Sequence, residues 1–263
     1  MEQNLRHEKA HPGRPRLVFL FAYRVSQQAL RDDTVLMSEP AFLQIIEECN
    51  QALSQLSFKP GFAYPLANVY ERDRQQAAQA IAQFTFQLAL ASLWRSWGVV
   101  PDAVMGEGPG EIAAACVAGK LSLQEALLSL YYDPAILVER SYAQSARADA
   151  LPFYSTMIGR CEDLQELIAH WRAHSGRADL SPEAFEQLCA EDYDAFLEIG
   201  PPTAALGVIF INLQQYGRKG LLLSSCNEQK GSRAGLLQIL QRLAALGYPV
   251  DMLSFSMGDA RER

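Results

Sequence analysis

Two hydrophobic rhythms alternate along this chain. Short, mostly apolar runs recur at residues 17–22 (LVFLFA), 101–105 (PDAVM), 151–157 (LPFYSTM), 195–199 (AFLEI) and 221–224 (LLLS), the first of them apolar throughout. Runs of four to seven residues, too short for helices, read as strands, and the unbroken run at 17–22 as one covered on both faces. Pro152 favours a strand start or an edge. The segments between them carry helical spacing. In 39–56, Phe42, Ile45, Ile46, Cys49 and Leu53 fall on one face, with Ser38 as the expected cap and Pro40 in the first turn. Further helices are expected over 72–97, closed by Gly98, and over 111–118, 122–132, 163–173, 182–190, 203–214 and 232–246, the last closed by Gly247. Ser122 and Glu125 form a capping-box pair. Strands alternating with helices predict an α/β fold with a mainly parallel sheet, in one domain over 17–255. Residues 1–16 read as a flexible basic lead-in and 256–263 as a polar tail.

Composition narrows the functional classes. With 49% hydrophobic and 20% charged residues, the chain has the apolar content that a disordered chain lacks. A net charge of −7 argues against non-specific nucleic-acid binding and against docking on anionic lipid. Residues 77–94 are the most apolar long stretch, but Gln79, Gln83 and Gln87 make a polar stripe along it, which suits a buried helix of a soluble core and no membrane span. The opening residues lack the apolar core of a secretory leader. Five cysteines without a close pair suggest reduced, buried thiols in a cytoplasmic protein, with no disulfide framework, no metal site and no cofactor.

The candidate chemistry sits at Gly106-Glu107-Gly108-Pro109-Gly110, a glycine-rich turn between a strand and a small-residue helix. A phosphate loop is disfavoured, because Glu107 and Glu111 bring negative charge and no Lys or Arg follows closely. A tight strand-to-helix turn accounts for the motif. Glu107 can serve as a general acid or base if burial raises its pKa; the plainer expectation is a surface carboxylate favoured by a helix N-terminus. His170 and His174 share a helical face without a third ligand at motif spacing, so that helix is expected to carry Trp171 into the core. Cys116 is expected to pack as a small apolar side chain, and Arg24 to be a solvated loop residue.

The segment 94–127, WRSWGVVPDAVMGEGPGEIAAACVAGKLSLQEAL, resembles the acyltransferase domains of polyketide synthases and the malonyl-CoA:ACP transacylases of fatty-acid synthesis. LVFLFAYRVSQ at 17–27, LPFYSTMIG at 151–159 and FLEIGP at 196–201 agree in the family's order. The resemblance implies a three-layer α/β sandwich, the hydrolase-like large subdomain of that family. It also implies ping-pong acyl transfer through a serine in a Gly-His-Ser-x-Gly elbow, activated by a distant histidine.

This chain departs from that pattern at each catalytic position. Gly108 stands at the nucleophile position and Glu107 where the family has histidine. Tyr23-Arg24-Val25-Ser26-Gln27 replaces the Gly-Gln-Gly-Ser-Gln loop beside the oxyanion hole. Asp133 aligns near the arginine that pairs with a malonyl carboxylate, which reverses the sign of that interaction. No histidine lies between His11 and His170. The short interval from Asp133 to Leu151 leaves no room for the family's ferredoxin-like small subdomain. No catalytic residues are therefore expected.

The expected function is a catalytically inactive acyltransferase-like domain, an interaction or scaffold element in polyketide or fatty-acid-like biosynthesis. A ketosynthase, an acyl carrier protein or a second copy of the chain would be its partner. The alternative is a repurposed enzyme acting on a carrier-bound chain by hydrolysis, decarboxylation or elimination, with Glu107 as acid or base and Tyr23, Arg24 or His170 nearby. A third reading, binding of acyl-CoA or a carrier without chemistry, is opposed by the −7 charge, since those ligands are anionic.

Overall fold

A computed structural model describes residues 13–21, 36–57, 71–131, 150–174, 180–226, 233–252 and 255. Six strands, β1 (Leu17–Phe21), β2 (Ala103–Gly106), β3 (Phe153–Ser155), β4 (Gly159–Arg160), β5 (Ala195–Glu198) and β6 (Leu221–Ser224), form one sheet in the order β4-β3-β2-β1-β5-β6. All neighbours are parallel except β3 and β4. The antiparallel edge strand β4 is absent from the sequence reading; at two residues it is too short to carry a pattern. Eight helices are described: α1 (Pro40–Ser57), α2 (Glu71–Ser96), α3 (Gly110–Val117), α4 (Leu123–Tyr131), α5 (Leu164–His174), α6 (Pro182–Ala190), α7 (Ala204–Gln215) and α8 (Arg233–Ala245).

Side chains alternate across the strands, and each face of the sheet meets its own helices. Leu17, Phe19 and Phe21 of β1, with Val104 and Leu197, join the core built with α1 to α5 and α8. Val18 and Leu20, with Ala103, Met105, Tyr154 and Phe196, join a second core built with α6 and α7. This is the three-layer arrangement expected. All five β1 side chains are at most 3% exposed, and each fully buried aliphatic or aromatic side chain stabilises the fold by roughly 1.5–3 kcal/mol. The strand therefore sits mid-sheet, where both faces are covered.

Local signals behave as their chemistry dictates, with two corrections. The capping box is present: Ser122 N donates to Glu125 Oε2 at 2.6 Å and Glu125 N to Ser122 Oγ at 3.2 Å. At α1, however, Ser38 belongs to a 3-10 turn over Leu36–Ser38. The Glu39 carbonyl accepts the first helical bonds, from Phe42 N and Leu43 N at 3.1 Å each, so Glu39 is the residue that caps the helix. The second correction concerns the lead-in, whose last residues are anchored. Arg14 forms a two-point pair with Asp102, Nη2 to Oδ1 at 2.8 Å and Nη1 to Oδ2 at 3.0 Å. Asp102 also accepts from Leu17 N at 2.8 Å, and Arg16 N donates to Asp194 Oδ2 at 2.7 Å. The two arginines stack over Tyr248 and Tyr193.

Candidate functional site

The strand order reverses direction at β1, which has β2 on one side and β5 on the other. Open α/β sheets place their ligand crevice at such a point, beyond the carboxyl ends of the strands. The turn from β2 to α3 lies there. Glu107 N donates to the Phe21 carbonyl at 3.0 Å, Gly110 N to the Glu107 carbonyl at 3.0 Å, and Glu111 N to the Gly108 carbonyl at 3.0 Å. Two glycines make the turn feasible. A Cβ on Gly106 would lie 2.4 Å from Glu111 Cα and 2.8 Å from Glu111 N, so only glycine lets the strand end this close to the helix. Gly108, at the apex, has φ +52°, a left-handed conformation that glycine adopts without a Cβ penalty. A sharp turn of this kind presents the nucleophile in hydrolase-like α/β folds; here the apex carries no side chain.

Two buried carboxyls flank the turn, and neither is flagged by the sequence reading as a site residue. Glu111, 1% exposed, accepts from Ser155 Oγ on Oε1 and from Trp171 Nε1 on Oε2, the latter at 2.5 Å. Burial pushes its carboxyl up to about 7, against the pull of those two bonds, and the Glu107 charge adds to the rise. Glu111 is thus a cross-link in the core, which corrects its reading as negative charge displayed at the helix N-terminus. Glu198, also buried, receives Thr203 N at 3.0 Å on each oxygen and the Thr203 hydroxyl on Oε1. Burial again pushes it up to about 7, with the Thr203 bonds opposing and the Glu107 charge assisting. The available signal was a glutamate inside an otherwise apolar run, in EIAAA and in AFLEI, since carboxylates are seldom fully buried unless paired.

Glu107 is half-buried, where the plainer expectation put it on the open surface. It lines a crevice with Glu198 and Thr156, walled by Leu20, Phe21, Met105 and Ala205, with about 10 Å³ of solvent space. That is room for about one water molecule. Thr156 is 2% exposed, and its hydroxyl has no hydrogen-bond partner among the described residues. Its N–H is engaged by the Gly106 carbonyl at 3.0 Å. A second polar group therefore stands beside Glu107, a condition the enzyme alternative required.

Of the remaining candidates, none that the structure describes lines this crevice. Trp171 is buried as expected. His170 is half-buried on α5, and it does not line the crevice. Among the described residues no group of three or more His, Cys, Asp or Glu is placed to hold a metal ion. Cys116 lies in α3 with its thiol pushed up to about 12, mainly by burial, which is the inert packing role expected. Tyr23, Arg24 and Asp133 lie outside the described residues, as does the side chain of His174. No helix among the described residues is long and apolar enough to cross a membrane.

The mainly parallel sheet, its switch-point crevice and the sharp turn from β2 to α3 define an α/β protein of hydrolase-like architecture. The acyl transferase domain family matches residues 18–163, more than half of the chain, and the chain belongs to that family. Polyketide synthase GfsA of Streptomyces halstedii is 34% identical over 200 residues, 69% of this chain and 2% of that protein. The highly reducing polyketide synthase sdnO of Sordaria araneosa is 36% identical over 124 residues, 45% of this chain and 4% of that protein. The chain thus spans a few per cent of the length of these relatives. Among solved structures, the acyltransferase domain from module 8 of the salinomycin polyketide synthase superposes with TM-score 0.69 at 20% identity, covering 91% of this chain and 77% of that one. A loading acyltransferase from the avermectin modular polyketide synthase gives TM-score 0.63 at 20% identity, covering 87% and 99%.

Proposed function

We propose that this chain is a catalytically silent acyltransferase-like domain that serves as an interaction or scaffold element in polyketide or fatty-acid-like assembly. A ketosynthase, an acyl carrier protein or a second copy of the chain is its partner. The observation that carries this reading is Gly108 at the apex of the turn: φ is +52° and there is nothing at that position to acylate. The resemblance places histidine at 107 and arginine near 133, where this chain has Glu107 and Asp133. An exposed apolar surface supports a binding role. Helix α7, AALGVIFINLQQ, carries no charged residue, and Phe210 and Ile211 on it are 51% and 57% exposed. Adjacent apolar exposure of this kind favours a partner. Incubation with malonyl-, methylmalonyl- and acetyl-CoA followed by intact mass measurement tests the reading. The expected result is unmodified protein, and a stable acyl adduct overturns it.

One observation favours a second reading, an enzyme that uses Glu107. Glu198, pushed up to about 7, lines the same crevice, and a carboxyl of that pKa is suited to proton transfer near neutral pH. Turnover of a carrier-bound acyl chain that disappears in Glu107→Gln would establish this alternative.

A further inference from the structure

We propose that the crevice beneath the 106–110 turn is a subsite for a primary ammonium group, held between the Glu107 carboxylate, the Thr156 hydroxyl and the Glu198 carboxyl. The proposal deepens the non-catalytic reading, on which it rests, by naming what the altered cleft accepts.

The polar side chains that line the crevice are Glu107, Thr156 and Glu198, and no described lining residue is a cation. Thr156 supplies an independent observation. Its side chain is almost fully buried, and its hydroxyl lacks a partner among the described residues, whereas buried hydroxyls normally have one. Glu198 uses its two oxygens on Thr203, yet a carboxylate has about four acceptor sites, so Oε2 keeps capacity for a further donor. An ammonium head has three N–H donors and no acceptor, which suits a crevice lined by two carboxyl-bearing side chains and one hydroxyl.

Size and charge agree. About 10 Å³ of space holds one water-sized group, which fits an –NH3⁺ head with its stem leaving toward solvent. The Glu107 charge works against ionisation of both Glu198 and Glu111, and a cation in the crevice relieves that repulsion. An anionic acyl group or phosphate meets the same field with the opposite sign. A divalent metal needs about six close oxygen ligands, and no such cluster occurs among the described residues.

The test is an amide NMR titration of the ¹⁵N-labelled chain at constant ionic strength. Methylammonium chloride is expected to shift the Thr156, Glu198 and Thr203 amides saturably. Tetramethylammonium, equally charged but without N–H donors, leaves them in place. Thr156→Val and Glu107→Gln are expected to weaken binding about tenfold or more while the rest of the spectrum keeps its dispersion. Nα-acetyl-lysine methylamide forms the second arm. Saturation by it assigns the site to a lysine of a protein partner; saturation by methylammonium alone assigns it to a small free amine. No response to either amine, or an equal response to tetramethylammonium, overturns the proposal and leaves a water site. Acylation by acyl-CoA, read by mass, overturns the non-catalytic reading instead, so the two failures are distinguishable.

Discussion

Trp171 Nε1 donates to Glu111 Oε2 at 2.5 Å, and this bond ties helix α5 to the first turn of α3 directly behind the sharp turn. The partner oxygen of Glu111 receives Ser155 Oγ from β3. One carboxyl thereby holds three elements around a site whose apex has no side chain.

Removing that carboxyl strands two buried donors. Glu111→Ala is expected to cost about 3 kcal/mol, combining unpaired buried polar groups with a cavity. Glu111→Gln can face its amide oxygen to Trp171 and its NH2 to Ser155 Oγ, and should cost less than half as much. Denaturant midpoints of the two variants check the difference.

Stability should fall as pH rises. Glu111 and Glu198 are pushed up to about 7 from an ordinary value of 4.5. A carboxyl with a raised folded pKa contributes fully below its unfolded value and loses that contribution as pH passes through the folded one. Each group then costs on the order of 3 kcal/mol by pH 8 at most. Thermal melts between pH 5 and pH 8 should show a falling Tm, and Glu111→Gln should flatten the slope.

The two glycines of the turn should respond differently. Gly106→Ala drives a Cβ into the Glu111 backbone and is expected to cost about 3 kcal/mol or more through overpacking and backbone shift. Gly108→Ser incurs the left-handed penalty of roughly 1–2 kcal/mol, since Gly108 has φ +52°. Under the non-catalytic reading the new serine does not acylate with malonyl-CoA, because the crevice supplies no histidine among its described lining residues. Chemical denaturation and intact mass measure the two effects.

Asp102 anchors the first strand through Arg14 and Leu17 N. Both side chains of the pair are largely buried, at 14% and 4% exposure. Breaking such a pair leaves an uncompensated charge, so Asp102→Ala should cost about 3 kcal/mol. Arg14→Met, which removes the guanidinium from both Asp102 and the Tyr248 ring, should also destabilise, and a double-mutant cycle reads the coupling of Arg14 and Asp102.

The chain's own pattern determined the alternation of buried strands with amphipathic helices, the Ser122–Glu125 cap, the closing glycines and the family resemblance at 94–127, because periodicity and capping are local properties. Gly108 was legible as a missing side chain through that resemblance, which marks 108 as the nucleophile position. Tertiary structure alone decided that Glu111 meets Ser155 and Trp171, 44 and 60 residues away, and that Glu198 and Thr156 share a crevice with Glu107. These contacts depend on strand order, which places β1 between β2 and β5, and no local pattern encodes strand order. The raised carboxyl pKa values follow from that packing, since desolvation is a property of the assembled core.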